Sequence, residues 1–123
     1  MTEEVRDQED LVTIGVTDEG NQVLERMIER GWFETDMAAF KAAVAFGLAN
    51  CILPTESGRF QTKWNRGSLD QSGEFLEVVG LLYEGPRPWD HVRRVGDAAL
   101  KVLAPRIERA TVASELFGDL NAE

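Results

Sequence analysis

Residues 11–51 read LVTIGVTDEGNQVLERMIERGWFETDMAAFKAAVAFGLANC, and the changes of period within this stretch decide the fold. Val12, Ile14 and Val16 alternate with Thr13 and Gly15, the two-residue rhythm of a short strand over 12–16. Thr17 or Asp18 follows as a candidate helix N-cap, because a side-chain oxygen there accepts an orphan backbone N–H. Val23, Leu24, Met27 and Ile28 then fall on one stripe at helical spacing. Gly31 supplies the left-handed conformation with which helices often end, and Trp32 and Phe33 are placed to fold back onto the stripe. Thr35 is a second N-cap candidate. From Asp36 to about Cys51 an alanine-rich helix presents Met37, Phe40, Val44, Leu48 and Cys51 on one face. Ala43, Gly47 and Ala49 leave room for close approach by another element.

Outward from this stretch the pattern stays helical. Residues 54–69 form a connection containing Pro, Ser, Gly and Asn, with strand-like composition around Phe60 to Trp64. Asp70 or Ser72 is placed to cap a third helix carrying Phe75, Leu76, Val78, Val79, Leu82 and Tyr83, which Gly85-Pro86 stops. Pro88 sits well in a first helical turn. Trp89, Val92, Val95, Ala99, Val102 and Leu103 make a fourth stripe that Pro105 kinks or ends. Ile107, Val112, Leu116 and Phe117 are available to a last short helix. The expected fold is mainly α, a bundle of four to five helices with one short N-terminal strand. Its expected core holds Val23, Met27, Ile28, Phe40, Val44, Leu48, Phe75, Val79, Leu82, Val92, Val95, Ala99 and Val102. A disordered acidic tail is expected over 1–10, a single helical domain over 11–110, and a C-terminal tail or short helix over 111–123.

The composition narrows the function classes. One cysteine (Cys51) and one histidine (His91) exclude an intrachain disulfide and a closed Cys/His zinc site. The net charge is −9, of which −8 lies in residues 1–36, so the global field opposes nucleic-acid binding. The acidic N-terminus lacks the apolar core of a secretory signal, and the apolar run from Ala42 to Leu53 is too short to span a bilayer. A cytoplasmic protein with no membrane association is expected. Neither a phosphate-binding glycine loop nor a nucleophile elbow is present. The pairs Glu25/Glu29 and Glu74/Glu77 read as solvated helix faces rather than acid/base dyads. The chain is therefore expected to have no catalytic residues, no metal site and no cofactor, and to act through protein contacts.

Two features carry the binding readings. The order strand, helix, turn, helix across 11–51 resembles the ribbon-helix-helix module. That resemblance implies an intertwined homodimer in which the strand, here Val12, Ile14 and Val16, pairs with its twofold mate and presents outward side chains to the DNA major groove. Neither face of this strand offers the Arg, Lys, Asn or Gln that reads base edges. Glu34 and Asp36 would also repel a phosphate at the second helix, so dimerisation without DNA readout is the form expected. Gly15, Ala43 and Gly47 would permit the close approach. The competing solution is an intrachain pairing of 12–16 with 60–64. The second feature is Arg59-Phe60-Gln61-Thr62-Lys63-Trp64-Asn65-Arg66, which interleaves three bases with two aromatics and contains no acid. Arg59, Lys63, Trp64 and Arg66 are its candidate nucleic-acid contacts, while the competing reading makes Phe60 and Trp64 core anchors.

A wider resemblance runs over 33–104. Phe33-Glu34-Thr35-Asp36-Met37-Ala38-Ala39-Phe40 and Ala43-Val44-Ala45-Phe46-Gly47-Leu48 resemble the opening of small proteins associated with DNA phosphorothioation (Dnd) gene clusters. In those, an aromatic-Lys-Thr start leads into an alanine-rich helix ending in Gly and an aromatic. Gly96-Asp97-Ala98-Ala99-Leu100-Lys101-Val102-Leu103 is similar to their C-terminal helix, although Arg93-Arg94-Val95 stands where that family carries an acidic pair. The resemblance implies an accessory role in a DNA-modification or defence setting.

Overall fold

The computed structural model describes residues 10–118; the expectations for 1–9 and 119–123 lie outside it. The chain is mainly helical. Strand β1 (Thr13–Val16) leads into α1 (Asp18–Glu29) and α2 (Asp36–Ala49). Strand β2 (Gln61–Asn65) is followed by a one-turn α3 (Arg66–Leu69), then α4 (Glu74–Leu82) and α5 (Pro88–Arg109). A 3-10 turn spans Ala113–Glu115.

The local chemistry explains most boundaries. Thr17 caps α1 by accepting the Gly20 N–H, and Thr35 caps α2 by accepting the Ala38 N–H, each at 3.1 Å. Gly31 adopts φ +76° just after α1. Asp70 accepts the N–H groups of Gly73, Phe75 and Leu76 at the start of α4, and Ser72 accepts that of Glu74. Helix α5 starts at Pro88 and runs 22 residues, roughly 33 Å at 1.5 Å per residue. It is the axis against which α2 and α1 pack. Phe40, Val44, Leu24, Met27, Val92, Leu100 and Leu103 fill the shared interior with Ile14 and Val16 of β1.

Several expectations are corrected. β1 pairs antiparallel with β2 of the same chain, Ile14 opposite Trp64 and Val16 opposite Gln61. The backbone groups that motivated a strand exchange between two copies thus find partners within the chain. Ile14 and Val16 are buried, while Val12 lies just before the strand and is exposed. The register slips between Ile14 and Gly15, which leaves Lys63 as an extra bulged residue on β2. The small residues serve intrachain contacts. A Cβ on Gly15 would lie 2.2 Å from the Gln61 carbonyl oxygen, and one on Gly47 would lie 2.7 Å from Val95.

Cys51 is not on the buried face of α2. The helix ends at Ala49, and Cys51 is exposed with φ +54°. Pro105 does not end α5. It costs the bond its missing N–H would have made to Lys101, yet Leu103, Arg106 and Ile107 around it are buried and hold the helix in place to Arg109. Asp10, expected in the tail, is a cap for α5: its carboxylate accepts the N–H groups of Trp89 and Asp90 at 2.6 and 3.0 Å. Leu82, expected in the core, is 57% exposed.

Candidate interaction surface

The basic-aromatic segment is committed to the fold. Trp64 is 8% exposed, its ring centroid lies 5.0 Å from that of Phe40, and its indole N–H donates to Asp36 at 3.1 Å. The bulge turns Lys63 toward α1 and α2, where its ammonium meets the Asn21 amide oxygen at 2.7 Å and the Asp36 carboxylate at 3.4 Å. Arg66 is exposed and donates to the Leu11 carbonyl at 3.2 Å. The Arg93 guanidinium covers the Phe60 ring at 4.3 Å. Arg59 is exposed. The structure therefore brings Lys63 and Trp64 together around Asp36, with their charge and ring face already engaged, and leaves Arg59 and Arg66 at the surface.

Helix α5 carries a buried polar centre that the sequence reading missed. The Asp97 side chain is fully buried. Its Oδ1 accepts the Thr17 hydroxyl at 2.7 Å and the Thr17 N–H at 3.2 Å. Its Oδ2 accepts the Thr55 hydroxyl and pairs with Lys101 Nζ, each at 3.0 Å. Burial raises the Asp97 pKa, but the Thr17 hydroxyl, Lys101, the Thr17 N–H and the Thr55 hydroxyl together outweigh it. The net position is below the ordinary carboxylate value. With both oxygens fully engaged, this centre locks three segments together and leaves Asp97 no lone pair to offer a substrate. A second charged centre lies in the first turn of α5. Asp90 accepts from Arg93 at 2.5 Å and from Arg94 at 3.1 Å, and Arg94 also donates to the carbonyls of Thr55 and Glu56.

His91 stacks face to face on Tyr83, ring centroids 3.7 Å apart and 7° from parallel. Burial holds its pKa below the ordinary value against the opposing pull of Asp90. The stack fastens the end of α4 to the start of α5. Glu25 and Glu29 line an open cleft of about 430 Å³ with Asn21, Leu24, Ile28, Asp36 and Lys63. Among the described residues no cluster of three or more His, Cys, Asp or Glu side chains is arranged to hold a metal ion, and no helix is long and apolar enough to cross a membrane.

The surface that stands apart is the outer face of α4. The helix reads EFLEVVGLL. Only one side of so short a helix can reach the core, and Val79 takes that position at 1% exposure, flanked by half-buried Phe75 and Leu76. Val78 (53% exposed), Leu81 (82%) and Leu82 (57%) are left outside. Their spacing puts them on one ridge. Glu74 and Glu77 each precede a ridge residue by one turn. Among the described residues, the other exposed large apolar residues, Val12, Leu53 and Val112, are scattered through separate segments, which is ordinary for a water-facing surface.

No family model, no curated protein and no solved structure matches the chain.

Proposed function

We propose that the protein is a non-enzymatic interaction protein that docks a different protein on the outer face of α4. The observation that carries this reading is the ridge Val78, Leu81 and Leu82, held outward on a helix whose inner side is anchored by Val79. Covering these side chains, of which Val78 and Leu82 are already about half buried, contributes at most roughly 1.5–3 kcal/mol each, before the cost of association. Contiguous apolar exposure of this kind marks a contact face.

Charge selects the occupant. Residues 67–86 contain four acids (Asp70, Glu74, Glu77 and Glu84) and neither Lys nor Arg. Lys41 of α2 lies at the half-buried side of this helix, 5.8 Å from the Phe75 ring centroid, and lines a surface hollow with Asp70 and Glu74. Two copies packed ridge to ridge would set like charges within one Debye length, about 8 Å, of each other, so a second copy is disfavoured. The same acids oppose DNA, RNA and anionic lipid. The resemblance over 33–104 directs the search for this partner toward DNA-modification or defence systems, in which the protein would act as an accessory factor.

The test is a photocrosslinking residue placed at Leu81 or, as a control, at exposed Glu29, followed by identification and purification of the crosslinked species. One protein is expected from position 81, and purified it binds the Leu81→Asp variant roughly tenfold to a hundredfold more weakly than the wild-type chain. Equal crosslinking from both positions, or crosslinks from position 81 to a second copy or to nucleic acid, would overturn the reading.

A further inference from the structure

We infer that the element docking on α4 is a basic amphipathic helix, an inference that rests on the interaction reading above and specifies its partner. The geometry favours a helix over an extended segment. α4 uses its backbone N–H and C=O groups internally, so its outer face offers no ladder to an added strand. What it offers is a straight ridge of branched apolar side chains at helical spacing, Val78, Leu81 and Leu82. A second helix laid beside such a ridge, with axes 8–10 Å apart, meets it with its own residues at three- and four-residue spacing.

The charges place bases on that partner helix. Glu74 stands one turn before Val78, and Glu77 one turn before Leu81, so both carboxylates border the apolar ridge on the exposed side. Glu84 follows just past the helix end. Among the described residues no cation forms an ion pair with Glu74, Glu77 or Glu84; the same is true of Glu25 and Glu29 on α1, but on α4 the carboxylates flank an exposed apolar ridge. A partner helix whose apolar stripe is edged by Lys or Arg satisfies the ridge and the carboxylates together.

The test uses the full chain and three peptides of about 18 residues, long enough to hold a helix in contact. The first has a Leu stripe edged by Lys, the second the same stripe edged by Glu, and the third the Lys edges with Ser replacing Leu. Amide chemical shifts of the protein report where each binds. The first should shift Val78, Leu81 and Leu82 and weaken steeply with salt. The second should bind roughly tenfold more weakly, the worth of a few exposed ion pairs, and the third should leave the ridge unshifted. A Glu74→Lys, Glu77→Lys double variant should reverse the preference between the first two. Equal affinity for both Leu-stripe peptides would overturn the basic-helix inference and leave docking on α4 standing. No shift on α4 with either would remove both.

Discussion

Thr17 donates its hydroxyl to Asp97 at 2.7 Å while the same oxygen accepts the Gly20 N–H, so one threonine caps α1 and ties it to the middle of α5. The Asp97 carboxylate in turn reaches Thr55 and Lys101. Removing it leaves the Thr17 and Thr55 hydroxyls and the Thr17 N–H without their acceptor, while the Lys101 ammonium, 37% exposed, keeps Glu19 at 3.6 Å. Asp97→Ala is expected to destabilise the fold by about 2–4 kcal/mol. Asp97→Asn, which keeps the shape but loses the charge, should cost about 1.5–3 kcal/mol. Urea denaturation checks both, and a loss below 1 kcal/mol for Asp97→Ala would contradict the structural role.

The same carboxylate gives the fold an acid-sensitive limb. Asp97 and Asp90 both sit below the ordinary carboxylate value. For each, burial raises the pKa. At Asp97 the Thr17 and Thr55 hydroxyls, the Thr17 N–H and Lys101 outweigh it; at Asp90 the Arg94 hydrogen bond and the charges of Arg93, Arg94 and Arg87 do so. A folded-state pKa below the unfolded value means that the stabilisation is fully present above the unfolded value and is lost as pH falls through the folded one. These two carboxylates should therefore give an acid limb below about pH 4, added to an earlier loss that begins below about pH 6.5 from His91, whose folded-state pKa burial also lowers. The Asp97→Asn variant should be less stable at neutral pH and show a shallower acid limb. Thermal melts across pH 2–7 measure this.

Trp64 separates an anchor from a base-stacking residue. Its ring packs on Phe40 and its N–H is bound to Asp36. Trp64→Ala is expected to cost about 3–5 kcal/mol of stability. Nucleic-acid affinity in a low-salt gel shift should be absent in the wild-type chain and unchanged by Arg59→Ala. Salt-sensitive binding abolished by Arg59→Ala and Arg66→Ala would restore the nucleic-acid reading.

The intrachain ribbon makes its own demand. Gly15 faces the Gln61 backbone so closely that an added Cβ must displace it. Gly15→Ala is expected to destabilise the monomer by about 1–3 kcal/mol. Sedimentation should give a monomer at micromolar concentration for the wild-type chain. A dimer that dissociates on Ile14→Asp without unfolding would show instead that the strand is shared between copies.

The extent to which the sequence foretold the fold follows from where each signal is local. The alternation expected at 12–16, which forms a strand over Thr13–Val16, and the caps at Thr17 and Thr35, Gly31 and Pro88 all act on their own segments, and apart from Val12 they are where the sequence reading places them. The choice of strand partner is a tertiary matter. The sequence leaves two partners open, residues 60–64 or the same strand of a second copy, and only the folded chain brings Gln61–Asn65 beside β1. Asp97 was invisible because its partners Thr17 and Thr55 are far away in sequence. Asp10 looked like tail for the same reason, since the N–H groups it caps lie about eighty residues on.

Six of the nine residues of α4 are large and apolar, so apolar spacing could not tell its inner side from its outer side. Leu82 was placed in the core, and Leu81 was not singled out at all. Apolar residues all round a short helix at the surface of a small domain are more than one side can bury, and that excess was the available signal.

The central claim is tested most directly by measuring, on one protein, stability and affinity for the partner identified by crosslinking, comparing wild type, Leu81→Asp and Val79→Asp. Leu81→Asp should change stability by less than about 1 kcal/mol, because the side chain is already in water, and should weaken partner binding by roughly tenfold to a hundredfold. Val79→Asp should unfold or strongly destabilise the chain, since the charge would be buried without a partner. Full partner affinity in a folded Leu81→Asp variant would contradict docking on the outer face of α4.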